Sequence, residues 1–263
     1  MTFAVGRRGR DPHRSGPTAG VEAVFFDVGG TLIDVSPSVG HVYSEACRRR
    51  GAAVEPLRLQ RAFDEAWVAL SATIPAGADR YSHLAGGEEE WWERVSALAF
   101  DRCDVSEAQR PPAVELRGIF ARPEAWHVYP ESRRILETLR SQGLPLGVIS
   151  NWDSRLPALL SALGLDGYFD CIITSAGARC EKPHPGIFRQ ALDALGVSPG
   201  GAIHIGDRFE EDYAGARAAG LRALLLDRTP GRPGLREEVE ECGDADDLVL
   251  DLEDALRRIA GAA

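Results

Sequence analysis

The sequence predicts an α/β fold: a doubly wound parallel sheet carrying a helical domain inserted after its first strand. Two observations carry this. From residue 131 onward, helical stretches alternate with short apolar runs, a pattern that makes the strands parallel and covers both faces of the sheet with helices. Before that alternation, and after one isolated apolar run, residues 38–122 show only helical spacing. With 263 residues and 44% hydrophobic side chains, the chain can bury the core of one large domain, or of a core plus an insertion.

In order, residues 22–27 are the first strand, ending in Phe25-Phe26-Asp27. Helices are expected at 38–50, 57–73, 88–102 and 112–121, separated by Gly- and Pro-bearing loops such as Pro75–Gly77 and Pro111–Pro112. Trp91 and Trp92 on the third of these are expected to pack rather than to stack on a ligand. Then follow helix 131–142, strand 145–150, helix 154–163, strand 170–174, helix 185–196, strand 202–206, helix 210–219 and strand 221–226. Residues 227–246 read as turn-rich and acidic, before a last helix near 251–260. This divides the chain into a tail at 1–20, expected to be disordered, a core at 21–36 and 127–263, and a helical domain at 37–126. The tail holds Arg7, Arg8, Arg10 and Arg14 among Gly, Pro and Ser, and lacks the apolar stretch of a signal peptide.

A formal charge of −10 without an extended basic stripe argues against a nucleic-acid partner, and Arg48–Arg50 reads as a solvated helix end. No apolar run is long enough to span a membrane. Five cysteines, odd in number and without zinc-binding spacing, fit a reduced, cytoplasmic compartment. The cations are uneven: 29 arginines and one lysine make up the 30. That lysine, Lys182, lies in Glu181-Lys-Pro-His-Pro-Gly-Ile-Phe188, where a compact ammonium is a different object from a guanidinium fork.

Four segments carry candidate chemistry: Asp27-Val-Gly-Gly-Thr31, Leu146-Gly-Val-Ile-Ser150-Asn151, Lys182-Pro-His-Pro185 and Ile205-Gly-Asp207-Arg-Phe-Glu-Glu-Asp212. Asp27, Ser150 and Asp207 fall at strand ends, and in an open parallel sheet such ends share the ligand-binding edge. Taken singly, Asp27 is a turn former, Ser150 a loop hydroxyl, Lys182 a solvated cation and Asp212 a capping acid. His204, inside a strand, is expected to pack, Gly30 to serve backbone geometry and Asp34 to cap a turn.

In this order, over residues 21–227, the four segments resemble the motifs of the haloacid dehalogenase superfamily. The resemblance implies a Rossmann-like core, with residues 37–126 as a cap that encloses a small substrate between two domains. It also implies phosphoryl transfer through an aspartyl phosphate, with Asp27 as nucleophile. Mg2+ would be held by Asp27, the backbone carbonyl of Gly29 and Asp207, with Asp212 close by or acting through water. Ser150 would donate to the phosphoryl group and Lys182 would offset its charge. Thr31 would order the loop; with Ser150, Asn151 and Lys182 it would face a small phosphorylated metabolite.

The departure is Gly29. In the family's phosphatases this position is an Asp serving as general acid and base, a role whose loss costs roughly 10²- to 10⁴-fold in rate. Alkyl phosphates, whose alkoxides need a proton, should suffer most, and acyl or aryl phosphates least. His41, Tyr43, Glu45 and His83 are the helical-domain groups that could supply a proton. Dehalogenases of the family have Tyr where this chain has Gly29, and the acidic fourth motif argues against that chemistry. Phosphonoacetaldehyde hydrolases need a cap lysine, and residues 37–126 contain none. The leading expectation is a Mg2+-dependent, phosphatase-like hydrolase of weak or leaving-group-restricted activity. The alternative is a non-catalytic protein that binds a phosphorylated metabolite or a partner.

Overall fold

The computed structural model describes residues 3–4, 20–229 and 234–261. Its strands are β1 (Phe3–Ala4), β2 (Ala23–Phe26), β3 (Ile33–Val35), β4 (Trp126–Val128), β5 (Leu146–Ser150), β6 (Cys171–Thr174), β7 (Ala202–Gly206), β8 (Arg222–Leu226) and β9 (Leu248–Val249). Seven of them form one sheet in the order β1-β6-β5-β2-β7-β8-β9, and β3 pairs with β4 separately. From β6 to β9 every pairing in the large sheet is parallel. The α/β expectation therefore holds: from β2 the chain goes to β5 and β6 on one side, then to β7, β8 and β9 on the other.

The strands are apolar on both faces because both faces are covered. All four residues of β2 and all five of β5 and β7 are buried, as a parallel sheet between helix layers requires. On one face, Ala23, Phe25 and Ile149 join a cluster with Ile187, Phe188, Ala191 and Leu192 of helix α9, Pro185–Leu195 in chain order below. That helix begins on Pro185 after His184, whose ring accepts the Gly186 N–H, and ends on Gly196 at φ 65°. Gly147 is required by packing, since a β-carbon there would lie 2.6 Å from the Phe25 ring.

The chain divides into two compact units, one of residues 1–34 and 128–263 and the other of residues 35–127. The second unit contains helices α1 (Val39–Arg48), α2 (Pro56–Ser71), α3 (Arg80–His83), α4 (Gly87–Arg102) and α5 (Ala113–Phe120). Its core gathers Tyr43, Leu59, Ala62, Ala66, Phe100 and Leu116. Trp91 is buried there, edge-on to Trp67 at 5.4 Å, and the Arg80 guanidinium sits 4.6 Å above the Trp67 ring. The first unit adds α6 (Ser132–Ser141), α7 (Leu156–Ala162), α8 (Ser175–Ala178), α9, α10 (Gly215–Ala218), α11 (Leu235–Cys242) and α12 (Leu252–Gly261).

Two expectations are corrected. Phe3–Ala4 is not part of a disordered tail but pairs antiparallel with β6, because the open edge of a parallel sheet offers unpaired N–H and C=O groups to any extended segment; the rest of 1–19 lies outside the described residues. The turn-rich segment contains α11, whose Leu235 and Val239 are four residues apart and bury together. Among the described residues no helix is long and apolar enough to cross a membrane.

Candidate active site

Strand order builds the site. β2 lies between β5 and β7, so Asp27, Ser150 and Asp207, each at a strand's carboxyl end, meet at the reversal of strand order. The Asp27 N–H donates to the Ile205 carbonyl at 2.8 Å, fixing the first carboxylate against the neighbouring strand. The loop then turns back, with Gly30 N donating to Ile33 O at 2.9 Å. Gly30 is required twice: its φ is 77°, and a β-carbon there would lie 2.6 Å from Asp207 Oδ2. A β-carbon at Gly206 would lie 2.2 Å from Asp212 Cγ, so that glycine admits the Asp212 carboxylate to the strand end.

Lys182 is the charge centre. Its Nζ donates to Asp27 Oδ1 at 2.8 Å, to Asp212 Oδ1 and to the Ile149 carbonyl at 2.9 Å, and the side chain is 1% exposed. Burial disfavours the ammonium, but Asp212 and Asp27 outweigh it and raise its pKa. Asp212 is likewise held below the ordinary carboxylate range, against its burial, by Lys182 and by His204. The His204 Nε2 lies 2.9 Å from Asp212 Oδ1, and burial lowers the His204 pKa, so the neutral ring donates from Nε2. His204 also packs edge-on against Phe188 at 5.5 Å, so it is both a packed residue and a hydrogen-bond partner of the site.

Asp207 differs. Burial and the Asp27 and Asp212 carboxylates push it up to about 7, and Thr31 Oγ1 donates to its Oδ1 at 3.3 Å. One carboxylate oxygen from each of Asp27, Asp207 and Asp212 lies within 4.8 Å of the others. Three acids against one ammonium, all oxygen donors, suit a hard divalent cation, which would offset the mutual repulsion that pushes Asp207 up.

Three further side chains shape this site. Asn151 donates from Nδ2 to Lys182 O at 2.9 Å and accepts Lys182 N on Oδ1 at 2.7 Å, so its amide clamps the backbone that presents the ammonium. Arg228, just beyond β8, donates to the carbonyls of Gly30 at 3.0 Å and Thr31 at 2.6 Å, pairs with Glu131 at 2.7 Å, and lies 3.4 Å above the Tyr129 ring. Trp152 stands over Gly29: a β-carbon at position 29 would lie 3.2 Å from its Cζ3 and 3.9 Å from its Cη2. Arg228 and Trp152 are not found by sequence reasoning. For Trp152 the available signal is a large aromatic following Ser150-Asn151 in a chain with glycine at 29.

Of the sequence-predicted residues, Asp27, Thr31, Lys182, Asp207 and Asp212 come together, Ser150 is buried at the adjoining strand end, and Asn151 is engaged with Lys182. The helical-domain candidates have other neighbours. Tyr43 is buried against Phe63 and Phe100 at 5.6 and 5.5 Å, and His41 Nδ1 meets Ser38 Oγ at 2.9 Å. Hydrogen bonds from Arg48 and Arg49 lower the Glu45 pKa to about 2, so it is ionised at neutral pH. His83 is exposed.

Residues 21–220 match the sequence model of the haloacid dehalogenase-like hydrolases. The chain belongs to this family. It is 34% identical over 219 residues to haloacid dehalogenase-like hydrolase domain-containing protein 3 of Danio rerio, covering 81% of this hydrolase and 87% of that protein. It is 30% identical over 209 residues to phosphoglycolate phosphatase of Neisseria meningitidis, covering 78% and 79%. A crystal structure of the HAD phosphatase from Thermococcus onnurineus is similar to this hydrolase with a TM-score of 0.61 and 25% identity, over 92% of this chain and 98% of that one.

Proposed function

We propose that this hydrolase is a Mg2+-dependent phosphatase that cleaves a small phosphorylated metabolite through an aspartyl phosphate on Asp27, with leaving-group-restricted activity. The observation that carries this reading is the buried Lys182 ammonium 2.8 Å from Asp27 Oδ1, within a three-carboxylate cluster. Phosphatase relatives support the substrate class. Asp27 Oδ1 accepts from Lys182, which leaves Oδ2 for in-line attack on phosphorus. As that bond forms, the bond from phosphorus to the leaving oxygen breaks and the electron pair leaves with it. Lys182 and Ser150 offset the charge gathered on the phosphoryl oxygens. Water then attacks phosphorus and releases Asp27. Mg2+ bound by Asp27, the Gly29 carbonyl, Asp207 and Asp212 would supply Lewis-acid stabilisation of phosphoryl charge. Asn151 and Arg228 hold Lys182 and the nucleophile loop in register.

Gly29 offers no proton to the leaving oxygen, and the same fact supports a second reading, a phosphate-binding protein with little turnover. Phenyl, acetyl and propyl phosphates assayed with Mg2+ and with chelator, for the wild type and Asp27→Asn, separate the two. Mg2+-dependent turnover that Asp27→Asn abolishes supports the phosphatase. Binding without any Asp27-dependent turnover refutes it, and activity unchanged in chelator points to dehalogenase-type chemistry.

A further inference from the structure

We propose that His204 is a positioning residue of this site: its Nε2 fixes the Asp212 carboxylate and, through it, holds the Lys182 ammonium against the nucleophile. Only the effect on turnover rests on the phosphatase reading.

The strand sets the geometry. β7 is paired on both sides, with His204 in register with Phe25 of β2 and with Ala223 of β8. Side chains alternate along a strand, so His204 and Gly206 address the same face. There Gly206 leaves room for Asp212, and His204 meets Asp212 Oδ1 with Nε2 at 2.9 Å. Oδ1 also accepts from Lys182 Nζ, and Oδ2 accepts from the Arg208 N–H at 3.0 Å. Three donors on two oxygens fix both the place and the plane of the carboxylate. Of the three, Lys182 stands on a flexible four-carbon stem and Arg208 N lies beyond the strand, whereas His204 brings its donor from inside the sheet.

For packing alone the ring is a poor choice. His204 is 0% exposed and lies edge-on to Phe188 at 5.5 Å. A carboxylate only accepts, so Nε2 carries the proton and Nδ1 is left a bare acceptor. Among the described residues Nδ1 has no hydrogen-bond partner. A buried polar atom without a partner lowers stability, so an apolar side chain of similar volume would serve the core better. What offsets this cost is the bond to Asp212, the way outer groups orient the carboxylates of a reactive centre. Without it the Asp212 carboxylate can turn, and the Lys182 ammonium, shared between Asp212 and Asp27, turns with it away from the nucleophile.

Because Lys182 is the only lysine of the chain, lysine carrying 15N at Nζ gives a single ammonium signal that needs no turnover. The test compares the wild type with His204→Met, which keeps the volume without a donor, and His204→Gln, which keeps a side-chain N–H within reach of Asp212. His204→Met should shift the ammonium signal and quicken exchange of its protons with water. It should also weaken Mg2+ binding, read by calorimetry, and lower kcat/KM for phenyl phosphate, each on the order of tenfold. His204→Gln should return all of these toward wild type; neither variant has an imidazole, so the ring's own effect on the signal is common to both. The Tm of His204→Met should stay within about 5 °C of wild type, because the lost donor and the lost unpartnered nitrogen offset one another. An ammonium signal unchanged in His204→Met, no rescue by His204→Gln, or a larger fall in Tm, which would make the residue merely structural, overturns the proposal. If Asp27-dependent hydrolysis proves absent, the ammonium signal still decides, so the two failures are told apart.

Discussion

Replacing Lys182 with Met removes one ammonium and nearly no volume, so the effect reports charge. The wild-type Nζ satisfies Asp27 Oδ1, Asp212 Oδ1 and the Ile149 carbonyl, all within a site where Lys182 and Asp212 side chains are each 1% exposed. Removing one partner of a buried ion pair typically costs about 3–5 kcal/mol, because the other charge stays buried and unpaired. For a chain of this size that is roughly a 6–20 °C fall in Tm. The sign of the pH dependence follows from the two shifts. Lys182, raised, contributes throughout the neutral range and loses its contribution only at high pH, while Asp212, depressed, contributes above its ordinary pKa and loses its contribution as pH falls. The deficit of Lys182→Met should therefore be largest near pH 7.5 and shrink toward pH 4, where the orphaned acids take up protons. Chemical denaturation at both pH values measures it. A deficit below about 1 kcal/mol at pH 7.5, or one that grows on acidification, would refute the assignment of Lys182 as counter-charge.

Two other expectations follow from the same geometry. Burial and the neighbouring carboxylates push Asp207 up to about 7 in the fold against an ordinary 3.8, so this group's own contribution to stability declines as pH rises through that window. Mg2+ must compete with a proton on Asp207 at low pH, so its thermal stabilisation should be larger at pH 8 than at pH 5.5; an equal or reversed shift in a melting assay counts against the carboxylate cluster as the metal site. Arg228→Met removes the donors to the Gly30 and Thr31 carbonyls and the Glu131 pair. It should cost about 2–4 kcal/mol and lower kcat/KM on the order of tenfold or more through a displaced nucleophile loop, and an unchanged kcat/KM would show that the loop holds without it.

The sheet was legible because its central strands are unbroken apolar runs ending in Asp27, Ser150 and Asp207, and adjacent parallel strands bring such ends together. Lys182 was legible through its rarity. What the sequence hides depends on contacts between distant segments. Trp152 faces Gly29 across 123 positions of chain, Arg228 reaches Gly30 across 198, and nothing local marks either pair. The same holds for β1, whose two residues are a strand only because β6 leaves an edge open. Asn151 shows the finer limit: its amide engages the Lys182 backbone on both sides and Glu211 Oε2, contacts across 31 and 60 positions that nothing beside it in the sequence marks.

The arginine-for-lysine economy has a practical side. This chain carries one side-chain amine, and the fold seals it beneath two carboxylates with 1% of its surface exposed. Amine-selective acylating reagents, which attack only the unprotonated, accessible form, are thus kept from every side chain while the site is closed. The rate at which Lys182 becomes acylated is then a clock for opening of the catalytic centre, readable by mass without any introduced label.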